Sequence, residues 1–251
     1  TLEIVSASIT DGALEARVKL NNNSGHKTPT SYPSRRMWLN FKVTDDSDAV
    51  IFESGKMNLD GSIVGADNDT DQGKFEPHYD VITAEDQVQI YETIMADTDS
   101  NITYTLLRAA LYLKDNRLTP EGFDKLKVPD DVAVRGAAFD DDDFNKGSDE
   151  VIYRIPVTAT GDITVSASLN YQTIAHGFLQ DLYQSQLEEV ETFKRMYEQQ
   201  SLKHELITST QMTITASGSE SDSSSLLGMS WFTVAFLLLV IAGRTRYKTA
   251  D

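Results

Sequence analysis

The feature that most constrains the fold is a series of short β-type segments that occupies most of the chain before residue 217. Turn signals such as TDGA, DDSD, DTDSN and ATGD separate several of them. Alternating or β-branched runs bounded by such turns are typical of strands with one buried face. Many short strands of this kind predict a mainly β fold, an antiparallel β-sandwich of the immunoglobulin-like type. The segments are TLEIVSASI, ALEARVKLN, MWLNFKVTD, AVIFESG, VQIYETIMAD, ITYTLLRAALYL, EVIYRIPVTA, ITVSASLNYQ and LITSTQMTITA.

One region has a helical rather than a strand pattern. Residues 178–200 carry apolar side chains at intervals of three to five residues, which predicts one amphipathic helix. These side chains are Leu179, Leu182, Leu187, Val190, Phe193 and Tyr197. Residues 119–136 read instead as a long irregular connection.

The C-terminal region has a different character from the rest. No charged residue occurs from residue 223 to residue 243, and residues 226–243 are almost wholly apolar. About 20 such residues span a bilayer core. The Ser-rich residues 218–225 form a linker, and basic residues follow from Arg244. The positive-inside rule then predicts a β-rich domain at residues 1–217 facing the periplasm or cell exterior, a transmembrane helix or cleavable sorting tail at 226–243, and a cytoplasmic end at 244–251.

Charge and composition exclude several classes of function. The net charge of −17 argues against nucleic-acid binding, because no surplus of Lys and Arg is present to neutralise phosphates. The chain has no cysteine, which excludes disulfides, thiol nucleophiles and a C-x-x-C-H haem-attachment motif within these residues. No G-x-S-x-G turn, H-E-x-x-H pair or Gly-rich phosphate loop occurs, so no catalytic residue is assigned.

Two acidic stretches are candidates for cation binding. GADNDTDQG places Asp67, Asp69 and Asp71 at alternate positions, and Ca²⁺ is bound by carboxylate oxygens from flexible loops. The stretch departs from an EF-hand loop, since its glycine comes one position late and its twelfth residue is His78 rather than Glu. A weak calcium site and a solvated acidic turn both remain open, with the turn favoured. The denser run FDDDDF at residues 139–144 is interpreted as a solvated loop.

Two of the four histidines lie in loops beside proline. His26 is in GHKTPT and His78 is in EPHYD. Proline restricts the neighbouring backbone, and this preorganisation suits a metal ligand. His176 at a strand-to-helix corner and His204 near the end of the helical pattern are interpreted as structural.

The block SRRMW allows two interpretations. Arg35 and Arg36 could flank a strand whose Trp38 lies in the core. Alternatively, a guanidinium could pair with a carboxylate or with a haem propionate.

Several ordered blocks together resemble the C-terminal region of bacterial multihaem c-type cytochromes. The blocks are NNNSGHKTPTSYPSRRMWLNFKV, FESG, EPHYDVITAEDQVQIYE, LLRAALYLKDNRLTPEGFDK, DDVAVRGAAFDDDDF and VIYRIPV, which cover roughly residues 20–172. The resemblance implies an extracytoplasmic electron-transfer protein whose haem-rich portion precedes this β-rich portion. Haem c would then be attached upstream of the chain.

The resemblance also implies site residues. The family's G-H-K-x-P-T block is matched at residues 25–30. A haem iron with one histidine from its own attachment motif needs a sixth ligand from elsewhere, usually a neutral imidazole. We therefore expect His26 to be that distal ligand, with His78 as the second candidate. The cations expected near the propionates are Lys27, Arg35 and Arg36.

These observations favour the C-terminal part of a membrane-anchored multihaem cytochrome c in extracytoplasmic electron transfer. Its expected partners are the haem-bearing N-terminal portion, redox proteins and the membrane. A multihaem oxidoreductase with catalysis upstream stays open. The rival is a haem-free cell-surface binding or adhesion module stabilised by calcium. Several C-x-x-C-H motifs upstream of Thr1 would support the cytochrome, and none would favour the adhesion module.

Overall fold

The fold is mainly β, with few helices, as the sequence predicts. The computed structural model describes residues 1–30, 32–158 and 161–216. Residues Thr1–Ser217 belong to one compact unit. The elements in chain order are β1 (Leu2–Thr10), β2 (Ala13–Asn21), β3 (Arg36–Thr44), β4 (Val50–Ser54), α1 (Asp67–Thr70), β5 (Val81–Ile82), β6 (Ile90–Tyr91), β7 (Thr93–Ala96), β8 (Leu111–Asp115), β9 (Ser148–Pro156), β10 (Gly161–Gln172), α2 (His176–Leu182), α3 (Glu188–Glu198) and β11 (Glu205–Ala216).

Most of the strands form two sheets. The first has the order β1-β2-β9-β5, and the second has the order β11-β10-β3-β4, with β6 pairing to β3. A small third sheet pairs β7 with β8. The pairs are antiparallel, as predicted, except that β5 runs parallel to β9. This exception arises because β5 reaches the edge of the first sheet through a long connection from β4 in the second, and not through a hairpin.

The two main sheets share one apolar core. In β2 alternate side chains from Leu14 to Leu20 are buried, as the period of two in a strand requires. The core cluster combines residues of both sheets. At its centre Phe41 of β3 stacks on Tyr153 of β9, with ring centroids 3.7 Å apart. The inner faces of the two sheets therefore meet directly, and the loops at their ends carry the polar side chains discussed below.

The single amphipathic helix predicted for residues 178–200 is wrong. The structure has two helices there, because α2 ends at Leu182 and α3 begins at Glu188. Apolar periodicity continues across the break, with Leu179 and Val190 both buried. Carboxylates in a first turn stabilise the positive end of a helix, which favours a new start at this point. The acidic residues in the first turn of α3 are Glu188, Glu189 and Glu191.

The segment ITYTLLRAALYL is also not one strand. Its central part forms turns, and only the part from Leu111 onward is in β8. Leu107 is 98% exposed at the tip of these turns. The β-type composition of this segment therefore reflects an exposed apolar turn rather than a buried strand.

The predicted membrane segment cannot be compared with the structure. Residues 218–225, 226–243 and 244–251 all lie outside the described residues. Within the described part of the chain, none of the helices has the length and apolar character needed to cross a membrane.

Gly55 follows β4 at a point where the backbone comes very close to β3. Its φ is +78°, and an added Cβ would lie 2.2 Å from the carbonyl oxygen of Leu39. Trp38 Nε1 also donates a hydrogen bond of 2.9 Å to the carbonyl oxygen of Gly55. We expect Gly55→Ala to lower the free energy of unfolding by at least about 3 kcal/mol, from backbone strain and overlap together.

Gly122 provides a matched control, because its φ is +81° and its added Cβ would meet nothing within 4 Å. Gly122→Ala should therefore cost only the strain, about 1–2 kcal/mol. Urea unfolding of the two variants tests the difference. Equal losses would show that the close approach of Gly55 to Leu39 contributes nothing.

Candidate functional site

His26 lies in the loop after β2 and is exposed. Its Nδ1 is 3.1 Å from the carbonyl oxygen of Lys27. A carbonyl oxygen only accepts, so the proton of the neutral ring belongs on Nδ1. Nε2 then carries the lone pair and makes no hydrogen bond with the residues that the structure describes. A histidine that ligates a metal through Nε2 has this arrangement.

The loop that carries His26 is fastened to a distant part of the chain. The side-chain nitrogen of Asn22 lies 2.9 Å from the carbonyl oxygen of His26, 3.0 Å from that of Leu118 and 3.1 Å from that of Thr119. The backbones of Thr28 and Leu118 exchange two hydrogen bonds of 2.9 Å. The position of the imidazole is therefore set by residues nearly 100 positions away.

Lys27 points inward rather than toward a ligand. Its ammonium lies 2.8 Å from the Asp115 carboxylate and 3.3 Å from the carbonyl oxygen of Ala133. Burial lowers the pKa of Lys27 against the opposing effect of Asp115. Burial alone would raise the pKa of Asp115, but Arg117 and Lys27 hold it below its usual value. Lys27 therefore anchors the loop to Asp115. Its charge does not point outward, where the sequence analysis expected a haem propionate.

The two arginines of SRRMW have different environments. Arg36 is 1% exposed and makes a bidentate pair with Asp69, at 2.7 and 2.8 Å, and a 2.8 Å hydrogen bond to Gln172. Arg35 is half-buried and donates to the carbonyl oxygen of Thr30 at 3.1 Å. No carboxylate among residues 1–30, 32–158 and 161–216 pairs with Arg35. Arg36 is therefore structural, whereas the guanidinium of Arg35 makes no ion pair with the residues that the structure describes.

The three aspartates of the candidate calcium loop do not form a cluster. The Asp69 carboxylate is committed to Arg36, Asp71 lies 3.6 Å from Lys74, and Asp67 is exposed at the start of α1. They are absent from the groups of converging acidic and histidine side chains that the described part of the chain contains. Nothing in this geometry supports a calcium ion at the loop.

His78, the second candidate haem ligand, is enclosed by polar side chains. Its side chain is 1% exposed. Its Nε2 lies 3.0 Å from Asp141 Oδ2 and 3.5 Å from Asp149 Oδ1. Its Nδ1 lies 2.8 Å from Gln89 Nε2 and 3.0 Å from Asn116 Nδ2. Both ring nitrogens therefore face inward partners, and His78 offers no free nitrogen to a group outside the domain.

The orientation of the side-chain amides of Gln89 and Asn116 determines which ring nitrogen of His78 carries the proton. Gln89 Oε1 accepts the backbone N–H of Tyr79 at 2.8 Å, and Asn116 Oδ1 accepts the backbone N–H of Glu92 at 3.0 Å. Both NH₂ groups are therefore the ones that face Nδ1, which must accept. The ring proton of His78 consequently belongs on Nε2.

The carboxylates near His78 favour a protonated ring, whereas the two amide groups at Nδ1 disfavour a proton on that nitrogen. Burial lowers its pKa, but Asp149 and Asp141 outweigh burial and raise the pKa to about 9. A charged ring would need a second proton on Nδ1, where two amide groups already donate. In either charge state of the ring, Nε2 carries a proton, which it donates to Asp141.

The interpretation of FDDDDF as a solvated loop is wrong for part of the run. Asp141 hydrogen-bonds to buried His78, and Phe144 is fully buried with its ring edge-on to that of His78 at 4.8 Å. The acidic composition gave no sign of this role. Asp149 was not singled out at all, although it is 1% exposed and accepts a hydrogen bond of 2.5 Å from Tyr91.

The remaining histidines have packing roles. His176 is 8% exposed at the start of α2, where its ring contacts Gln180. His204 is partly buried beside the ring of Trp38, with centroids 5.7 Å apart. It lies after α3 and directly before β11.

Comparison with known proteins gives a distant likeness of fold. No protein-family model matches the chain, and a search of curated proteins gives no match. Among solved structures, the chain is similar to a penta-haem cytochrome c552 from Thermochromatium tepidum, with a TM-score of 0.50 and 15% sequence identity. The similarity covers 85% of this chain and 39% of that one. It shows a fold related to part of a multihaem cytochrome.

Breaking the Arg36–Asp69 pair should be costly, because it leaves an uncompensated buried charge. We expect Asp69→Ala to lower the free energy of unfolding by about 3–5 kcal/mol. Asp67→Ala, on an exposed side chain of the same short helix, should change it by less than about 0.5 kcal/mol. Chemical denaturation measures both, and similar small effects would contradict the structural role of this pair.

Proposed function

We propose that this chain is the C-terminal part of a membrane-anchored multihaem cytochrome c that transfers electrons outside the cytoplasm. It supplies the distal axial histidine, His26, to a haem bound upstream. The observation that carries the proposal is the exposed His26, whose Nδ1 lies 3.1 Å from the carbonyl oxygen of Lys27, so that in the neutral ring the lone pair is on Nε2. The sequence blocks that resemble multihaem cytochromes and the distant fold similarity add support.

The loop suits axial ligation for two physical reasons. The hydrogen bond from Nδ1 selects the tautomer that binds iron and raises the basicity of the ligating nitrogen. The attachment of the loop through Asn22 and Lys27 lowers the entropy lost when the imidazole is fixed. Haem c would supply the redox chemistry, and this domain would position one ligand through His26.

Arg35 is the proposed propionate contact on this side of the domain. It is half-buried near the loop, and its charge is unpaired among the described residues. A guanidinium binds a carboxylate through two parallel hydrogen bonds, so it would also orient the haem. Lys27 and Arg36 already satisfy internal aspartates.

Location and partners follow from the sequence. The apolar residues 226–243, followed by basic residues, would anchor the protein with its β-rich domain in the periplasm or at the cell exterior. Because the chain has no cysteine, haem c would be attached to the preceding portion of the same protein. Its other partners would be redox proteins.

His26→Ala in the full-length protein should convert one low-spin haem to a high-spin or water-ligated form, because the iron loses its sixth ligand. The potential of that haem should also shift, while the other haems keep theirs. Electron paramagnetic resonance and a redox titration measure these changes. Asn23→Ala is the matched control, since Asn23 is an exposed neighbour in the same loop.

Unchanged spin states and potentials in His26→Ala would make His26 a structural loop residue and would remove the ligand role. Full-length protein that binds no haem at all would instead support the rival, a cell-surface binding module.

The anchor is tested separately from the haem ligand. Residues 218–251 appended to a soluble reporter should carry it into the membrane fraction. Ala235→Arg should reduce insertion, because a charge at the centre of a span costs about 2.5–3.5 kcal/mol on insertion scales. Ser223→Arg, outside the predicted span, is the control. A reporter that stays soluble would contradict the anchor.

A further inference from the structure

A cavity of about 550 Å³ is lined by α2, by α3 and by the turn at residues 58–61. Cavities of this size commonly hold small molecules. Leu179 of α2 and Leu59 of the turn supply apolar parts of its wall. None of the lining residues belongs to the loop of His26, so a ligand in this cavity does not depend on whether His26 binds a haem.

Two side chains that line this cavity have a buried polar atom without a partner. His176 is 8% exposed, and its Nδ1 makes no hydrogen bond with the described residues. The Tyr183 hydroxyl is also buried and makes no hydrogen bond there. Buried polar atoms nearly always have a partner, so an unpartnered pair at one cavity indicates a bound molecule that supplies it.

Both of these unpartnered atoms are hydrogen-bond donors. The NH₂ group of Gln180 lies 3.0 Å from His176 Nε2. An amide NH₂ only donates, so Nε2 accepts and the proton of the neutral ring belongs on Nδ1. The Tyr183 hydroxyl also has a proton to donate. A ligand that satisfies both side chains must therefore supply acceptor atoms.

The polar groups of the wall act on one another, although they come from three parts of the chain. Hydrogen bonds from Ser62 lower the pKa of Asp60, and the charge of His176 lowers it further. Burial raises the pKa of Tyr183, and Tyr197 of α3 adds to this effect. Each pair joins two of the elements that line the cavity, so one small ligand can contact groups from all three.

Lys194 of α3 provides a cation at the cavity. Its ammonium lies 5.1 Å from the centre of the Tyr183 ring and makes no ion pair with the residues that the structure describes. Lys203, the other lysine of the wall, donates instead to the carbonyl oxygens of Tyr197 and Gln200 at the end of α3. Lys194 is therefore the lysine of the wall that can pair with an anionic group.

The carboxylates of the wall limit the charge of a ligand. Asp60 and Glu198 both line the cavity, and neither pairs with a lysine or arginine in the described ranges. Like charges at close range repel, so a second negative charge on a ligand would be unfavourable. A ligand with one carboxylate therefore fits this wall better than a ligand with two.

We propose that this cavity binds a small organic molecule with a single carboxylate and an apolar body. Lys194 pairs with the carboxylate, and the Nδ1–H of His176 and the hydroxyl of Tyr183 donate hydrogen bonds to its oxygens. Leu179 and Leu59 contact the apolar body. The ligand thereby satisfies two buried donors that have no partner in the described protein.

The test is a calorimetric titration of the full-length protein with three probes that share a six-carbon chain. Hexanoate should bind, whereas hexanamide, which lacks the charge, and adipate, which has a second carboxylate, should each bind at least about 10-fold more weakly. Benzoate is a second monocarboxylate of different shape. Because the chain has a net charge of −17, these anions have no general attraction to it.

Variants of the wall locate the binding. Lys194→Met should weaken hexanoate binding about 10–100-fold, because it removes the charge. Arg195→Met is the matched control, since it removes the same charge from an exposed neighbour on α3 that does not line the cavity. Tyr183→Phe should weaken binding about 10-fold without lowering the free energy of unfolding of the unliganded protein, because the lost hydroxyl has no partner there. Circular dichroism confirms that each variant is folded.

Four results would overturn the proposal. One is no binding of either hexanoate or benzoate at millimolar concentration. Another is hexanamide that binds as tightly as hexanoate. The third is an affinity for hexanoate that Lys194→Met and Tyr183→Phe both leave unchanged, which would place the ligand elsewhere. The last is an equal loss with Arg195→Met, which would show a general attraction of anions to α3.

Discussion

The pairing of buried aspartates is the constraint on which the loops of this domain depend. Asp69 is paired with Arg36 at the start of β3, and Asp115 at the end of β8 is paired with Lys27. Each pair ties a loop to a strand, because neither charge can leave its partner without being buried alone. In a chain of net charge −17, cations are scarce, and both Arg36 and Lys27 are committed to this task. Asp149 has no Lys or Arg partner among the described residues, and its Oδ1 accepts no hydrogen bond there, although His78 Nε2 lies 3.5 Å away.

This use of charge explains how an exposed histidine can be held in one direction. The ammonium of Lys27 and the amide of Asn22 fasten both sides of His26 to the segment around Leu118. The carbonyl oxygen of Lys27 then fixes the ring tautomer. Lys27, which the sequence analysis expected near a haem propionate, is instead committed to Asp115. Arg35 makes no ion pair with the described residues.

Local pattern predicted the strands well, because alternation such as that of β2 depends only on one face being buried. It could not detect the break between α2 and α3, since the apolar period runs through it. Local pattern also could not identify side chains that pair across long distances in the sequence. Arg36 and Asp69 are 33 residues apart, and His78 and Asp141 are 63 apart. An acidic run such as the one containing Asp141 looks solvated until the fold brings a buried ring against it. His26 was singled out because its loop carries its own signals, a proline and a lone imidazole, and its role as a ligand stays a prediction.

The central claim is that the domain contributes His26 to a haem iron. The most direct measurement is an experimental structure of the full-length protein in its oxidised state. The account predicts that His26 Nε2 lies at bonding distance from an iron, opposite the histidine of that haem's attachment motif, with Nδ1 still donating to the carbonyl oxygen of Lys27. A structure in which every haem iron takes its sixth ligand from another residue or from water, with His26 in solvent, would contradict it.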